Sequence, residues 1–135
     1  MKAIEKQLID HEGLEKMVYR CPAGKLTVGV GRNLEDKGIT EEEALFLLRN
    51  DIAECEDDLR SIFMEYDTLD ESRKRVLIDM RFNLGPSRFR QFKKLIAAVK
   101  EKDFSRAAEE IKDSNWYRQV GKRAETLFEM MQMAG

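Results

Sequence analysis

Apolar residues recur every three to four positions through most of the chain and alternate with polar ones in a single stretch near its start. Ile4, Leu8 and Ile9 share one face over residues 2–10, and Gly13, which readily takes a positive φ, stops the run. A short first helix is predicted. From Met17 the pattern becomes M-V-Y-R-C-P-A-G-K-L-T-V-G-V-G-R, with Val18, Tyr19, Leu26, Val28 and Val30 suited to strands and Pro22-Ala23-Gly24 to a turn. A β-hairpin is predicted as the main β element. Thr40 followed by Glu43 forms a capping box, so a helix should start at Thr40 or one residue later. Its apolar stripe is Ala44, Leu47, Leu48, Ile52, Cys55, Leu59 and Ile62, enough for a rod of ~30 Å that could join two lobes.

Ser72 to Leu84 reads as a helix with Val76, Leu77, Met80 and Phe82 inside, stopped by Gly85-Pro86. Phe89, Phe92, Leu95, Ile96 and Val99 keep helical spacing, Asp103 can cap Phe104 to Lys112, and Ala124, Leu127, Phe128 and Met131 mark a last helix. The pattern predicts an α+β fold that is mainly α, without internal repeats.

At 135 residues the chain fits one domain, and 42% apolar residues exclude a disordered chain even though 37% are charged. No apolar run reaches the ~18 residues of a membrane span, and the acidic residues near the start do not suit a signal peptide, so synthesis and folding in the cytoplasm are expected. Two cysteines and one histidine give neither a disulfide framework nor a metal cluster. The charge is unevenly placed. Residues 1–72 hold 9 Lys+Arg against 18 Asp+Glu, a net of -9; residues 73–123 hold 15 against 6, a net of +9; the last twelve have a net of -2. The basic block could hold nucleic acid, anionic lipid or an anionic wall polymer, or the two halves could simply attract each other. No helix-turn-helix or RNA-motif signature accompanies it.

Reactive groups concentrate between Glu12 and Arg32. Glu12, at a helix end before the β element, is an ordinary solvated acid or, if partly buried at a lobe junction, a general acid. Gly29 and Gly31 form half of a phosphate-binding glycine loop without the rest, so they read better as strand glycines that leave room for a ligand or another backbone.

The segment H-E-G-L-E-K-M-V-Y-R-C-P-A-G-K-L-T-V-G-V-G resembles the active-site segment of phage-type lysozymes, glycoside hydrolase family 24. The likeness continues through I-T-E-E-E-A, F-N-L-G-P-S-R-F and N-W-Y-R-Q-V-G-K-R-A. The resemblance implies a small lobe of about residues 12–60 containing the hairpin, a helical large lobe of about 60–135 on which helix 1–11 packs, and a long connecting helix, with the substrate cleft between the lobes. It implies hydrolysis of the β-1,4 bond between N-acetylmuramic acid and N-acetylglucosamine in bacterial peptidoglycan by a cofactor-free monomer. Glu12 matches the catalytic acid, Thr27 the residue that helps hold the attacking water, Arg123 an Arg that reaches the acid, and Asn83 a cleft-lining position. It further implies an endolysin that stays in the host cytoplasm until a holin admits it to the wall, with no membrane anchor and no nucleic-acid partner.

Three departures qualify the match. Cys21 stands where the family places its second catalytic carboxylate, Arg32 stands where the family's type member carries His, and the short run from Asn33 to Gly38 trims the small lobe. Cys21 could act as thiolate base or nucleophile, given a cationic neighbour such as Arg20 or Lys25 to ionise it; it could weaken catalysis; or it could be a structural thiol. The alternative function is therefore a catalytically impaired wall-binding module on a lysozyme fold. Cys55 belongs to the core, and a bond to Cys21 is not expected. Trp116 and Tyr117 are expected to pack rather than to stack on sugar, Met130, Met131 and Met133 to form core or a frayed end, and His11 to be an exposed neighbour of Glu12.

Overall fold

The computed structural model describes residues 1–133. The elements in order are α1 (Ala3–Glu12), β1 (Glu15–Arg20), β2 (Leu26–Gly29), β3 (Arg32–Asn33), α2 (Glu41–Ile62), a 3-10 turn (Tyr66–Thr68), α3 (Glu71–Arg90), α4 (Lys93–Lys100), α5 (Phe104–Lys112), α6 (Asn115–Val120) and α7 (Lys122–Gln132). This is the mainly α member of the α+β class that the hydrophobic pattern predicts. Contacts divide the chain into two compact units, Met1–Leu47 and Leu48–Gly135, and α2 runs across the boundary.

In the first unit, α1 ends at Gly13, whose φ of 80° no side chain tolerates well and whose N–H donates to the Ile9 carbonyl at 2.7 Å. The sheet has three antiparallel strands in the order β1-β2-β3, paired Arg20↔Leu26, Tyr19↔Thr27 and Val28↔Arg32. The predicted hairpin supplies β1 and β2. The third strand is only two residues long, too short to leave a period in the sequence, and its pairing with Thr27 and Val28 of β2 is what defines it. The capping box forms as expected: Thr40 N–H donates to Glu43 Oε1 at 2.8 Å and Glu43 N–H to Thr40 Oγ1 at 3.1 Å.

The apolar stripe of α2 is covered over only part of its length. Cys55 and Leu59 are buried, whereas Ala44, Leu47 and Leu48 are exposed. Helical spacing states which positions share a face, and packing partners decide how much of that face is covered.

The second unit holds the core, built on Leu59, Phe63, Tyr66, Val76, Leu77, Met80, Phe89, Leu95, Ile111 and Met131. Asp70 caps α3 through Arg73 N–H, Asp103 caps α5 through Arg106 N–H at 3.2 Å, and Ser114 caps α6 through Tyr117 N–H. Within α3, Gly85 leaves helical conformation at φ 81°, and Pro86 starts the final segment where no N–H is needed. Phe82, expected inside, is exposed. At 100° per residue it lies about 200° from both Met80 and Leu84, which are buried, and so faces away from them. The six-residue α6 was not predicted from periodicity; Trp116 anchors it, buried edge-to-face against Phe92 at 6.4 Å.

Two arginines are buried among these helices. Arg73 donates from Nε to the Met131 carbonyl at 2.8 Å, pairs with Asp70 and stacks 4.3 Å from the Phe104 ring, tying the start of α3 to the carbonyl end of α7. Arg81 donates to Asp58 at 2.6 Å and to Cys55 Sγ at 3.8 Å. Arg90 adds a second ion pair to Asp58, and its hydrogen bonds, more than those of Arg81, hold the Asp58 carboxyl down to about 2. Cys55 is a core thiol as expected, pushed above its ordinary pKa by burial.

Candidate active site

Glu12 is the last residue of α1, and the turn at Gly13 directs the chain from the helix into β1. Its side chain is exposed rather than partly buried, and it lies against a residue that has no side chain. That residue is Gly31, in left-handed conformation at φ 65°. A methyl group built on the Gly31 α-carbon would stand 2.8 Å from Glu12 Oε2 and 3.3 Å from Cδ, inside van der Waals contact.

Cys21 follows the last residue of β1 and opens a tight turn. Its N–H donates to the Lys25 carbonyl at 2.9 Å, and Gly24, at φ 81°, donates its N–H back to the Cys21 carbonyl at 2.7 Å. The turn aims backbone amides at the thiol. Hydrogen bonding by the Lys25 backbone N–H, and less strongly by the Ala23 backbone N–H, lowers the thiol below its ordinary pKa against the opposing effect of desolvation. The expected cationic neighbours act differently: Arg20 is engaged by Gly24 and Glu35, and the Lys25 ammonium by Asp36 at 3.4 Å. Lys25 therefore acts on the thiol through its backbone. Thr27, in β2 two residues beyond Lys25, is buried and donates from Oγ1 to the Lys25 carbonyl at 2.9 Å, which leaves the hydroxyl oxygen able to accept from a water.

Arg32, next to Gly31, makes a two-pronged ion pair with Glu43 at 2.8 and 2.9 Å and also donates to the Gly38 carbonyl at 3.1 Å. The pair, together with Thr40, holds Glu43 at about 2. The carboxylate of the capping box thus also clamps the sheet, a double role that the spacing of Thr40 and Glu43 does not reveal.

The other two residues lie in the second unit. Asn83 Oδ1 accepts from the Trp116 indole N–H at 2.8 Å, which fixes the amide orientation and leaves its NH2 end as the group it can offer a sugar. Trp116 is therefore core with a polar tie, as expected. Beside it, a cavity of about 390 Å³ is lined by Arg88, Gln91, Phe92, Asn115, Trp116 and Gln119 among others. These polar side chains carry no sequence signal; Asn115 and Gln119 are four apart on the short α6 and meet Gln91 only through folding. Arg123 donates from Nε to Asp79 at 2.7 Å. Glu12, Cys21, Thr27 and Arg32 thus belong to one unit, Asn83 and Arg123 to the other.

Sequence comparison gives these positions a context. The profile of the phage lysozyme family matches residues 9–131. Two Dictyostelium discoideum proteins named "Probable T4-type lysozyme 2" and "Probable T4-type lysozyme 1" are 27% and 24% identical, over 88% and 98% of this chain and 88% and 95% of their own lengths. The pre-baseplate central spike protein Gp5 of Enterobacteria phage T4 is 30% identical over 73% of this chain, a match that takes in 18% of the spike protein.

Proposed function

The chain belongs to the phage lysozyme family, and we propose from that premise that it is a muramidase cleaving the β-1,4 bond between N-acetylmuramic acid and N-acetylglucosamine of peptidoglycan. The observation that carries this reading is the placement of a carboxyl, a thiol and a hydroxyl-bearing strand residue in one small unit, on the segment that the family profile covers.

In this reading Glu12 protonates the departing glycosidic oxygen. Water attacks the anomeric carbon from the opposite face, held by the Thr27 hydroxyl and deprotonated at the Cys21 position. The amides around Cys21 favour its thiolate, the form able to accept that proton. Asn83 and Arg123 are substrate-side residues of the second unit, Asn83 through its NH2 group; Arg32 acts through the shape of the sheet edge, since its charge is met by Glu43.

The basic block supports binding to an anionic wall. Of its 15 Lys and Arg, five (Arg73, Arg81, Arg90, Lys102 and Arg123) lie within 4.0 Å of a carboxylate among the described residues. Some of those partners, Asp58 and Glu65, come from the acidic block, so part of the charge asymmetry is used internally and the rest is available to a ligand. The biological setting that fits is phage-mediated lysis, with release from the host cytoplasm through a holin.

The test is digestion of purified peptidoglycan followed by borohydride reduction and mass analysis of the new ends. Reduced N-acetylmuramic acid is the expected product. Retention on the wall without new ends would favour the alternative that Cys21 suggests, a wall-binding module with impaired catalysis.

A further inference from the structure

We propose that Gly31 is a positioning residue for the Glu12 carboxyl, its bare α-carbon forming the seat on which the acid is held; the inference rests on the reading of Glu12 as general acid. Seven glycines, Gly13, Gly24, Gly29, Gly31, Gly38, Gly85 and Gly121, have positive φ, and backbone conformation alone accounts for glycine at each. Gly31 alone among them has anything within 4 Å of where a Cβ would stand, and all three of its nearest atoms belong to Glu12: Oε2 at 2.8, Cδ at 3.3 and Cβ at 3.5 Å. The side chain lies lengthwise against the glycine.

The clash of an added methyl would be relieved on the Glu12 side. Gly31 is bounded by Arg32, which is fixed by both prongs of Glu43 and by the Gly38 carbonyl. β3 is also paired to β2 at Val28↔Arg32 and Thr27↔Asn33, and Leu34 N–H donates to the Leu26 carbonyl at 2.8 Å. Glu12, by contrast, ends a helix and reaches its carboxyl through rotatable bonds. A methyl at residue 31 therefore displaces the carboxyl and leaves the sheet in place. Displacing a reacting group by ~1 Å costs about 10²-fold in rate.

Gly29 supplies the matched control. It has φ 70°, the same left-handed strain, and nothing within 4 Å of its Cβ position. The experiment compares Gly31→Ala with Gly29→Ala by melting temperature, by kcat and KM on purified peptidoglycan, and by the NMR shift of the Glu12 carboxyl carbon. In Gly31→Ala, kcat should fall about 10²-fold with KM within about twofold, and the Glu12 carboxyl resonance should move. Gly29→Ala should lose similar melting temperature, keep kcat within about threefold of the parent, and leave the resonance unmoved. Parallel losses of kcat in the two variants, or a Glu12 resonance unchanged in Gly31→Ala, would overturn the proposal. The parent protein gives a test independent of any variant's folding: a nuclear Overhauser contact between the Gly31 α-protons and the Glu12 β-protons is expected, and its absence removes the seat. If the parent releases no reducing ends, the muramidase reading fails while the NMR comparison still decides whether Gly31 seats Glu12.

Discussion

Asp58→Asn removes one negative charge from the point where α2 meets both segments of α3. Asp58 accepts from Arg81 Nε at 2.6 Å and from Arg90 Nη1 at 3.0 Å, and its side chain is 19% exposed. Its carboxyl is held at about 2 against an ordinary 3.8. At ~1.36 kcal/mol per pH unit, that difference contributes about 2 kcal/mol to folding at neutral pH. The substitution also leaves the buried Arg81 with Glu54, at 3.6 Å, as its one carboxylate partner among the described residues, and that carboxylate is 73% exposed and replaces only part of the lost attraction. A total cost of about 2 to 3 kcal/mol follows, which for a chain of this size lowers the melting temperature by roughly 10 °C. Because the folded pKa lies below the unfolded one, the contribution is complete above about pH 4 and is lost as the pH falls from there through about 2. Thermal unfolding followed by circular dichroism at pH 7 and at pH 2 should show a large difference between parent and variant at the first and a small one at the second. A variant melting within ~2 °C of the parent at pH 7, or a gap equally large at pH 2, would refute the reasoning.

The two thiols should separate by reactivity: Cys21, lowered by the Lys25 amide, alkylates in the folded protein with a midpoint below its ordinary 9.0, whereas Cys55, raised by burial, reacts only on unfolding. Mass-resolved iodoacetamide labelling across pH checks this, and equal rates at the two sites would contradict it. Restoring a carboxylate with Cys21→Asp should keep or raise turnover, and Cys21→Ala should lower it about 10-fold or more in a reducing-end assay; an Ala variant as active as the parent would remove the thiol from the mechanism. Glu43→Gln should weaken both the capping box and the Arg32 clamp, seen as faster hydrogen exchange at Thr40 and its neighbours; the same loosening should appear in the parent as acid takes the pH from about 4.5 through about 2. Wall binding should weaken from low to physiological salt, and an affinity indifferent to salt would count against the basic block as the binding surface.

What could be read from the sequence was what residues decide locally. Gly13 ends α1, Thr40 and Glu43 open α2, and Asp103 opens α5, because each of these signals is completed within four residues. β3 and α6 escaped, since two and six residues carry too little periodicity and depend on partners elsewhere in the chain. Phe82 and the first half of α2 show the converse, apolar residues on a helix whose burial the spacing could not decide. The backbone ties of Arg73 and the ion pair of Arg81 to Asp58 were equally hidden, as the Gln132 carbonyl lies 59 positions from Arg73 and Asp58 lies 23 from Arg81. In the candidate site, the run from Glu12 through Cys21 to Thr27 was visible as a motif. That backbone amides, not the charges of Arg20 or Lys25, bear on the thiol depends on a turn geometry no residue type announces. Gly31 could be read as a place where something approaches closely; only the fold identifies that something as Glu12.

The central claim is tested most directly by counting reducing ends released from purified peptidoglycan by the parent protein and by Glu12→Gln. Release by the parent that falls to background in the variant, with the variant still folded and still bound to the wall, is the predicted result. Equal release by both, or none by the parent despite binding, would contradict the assignment of Glu12 as the acid of a working glycosidase.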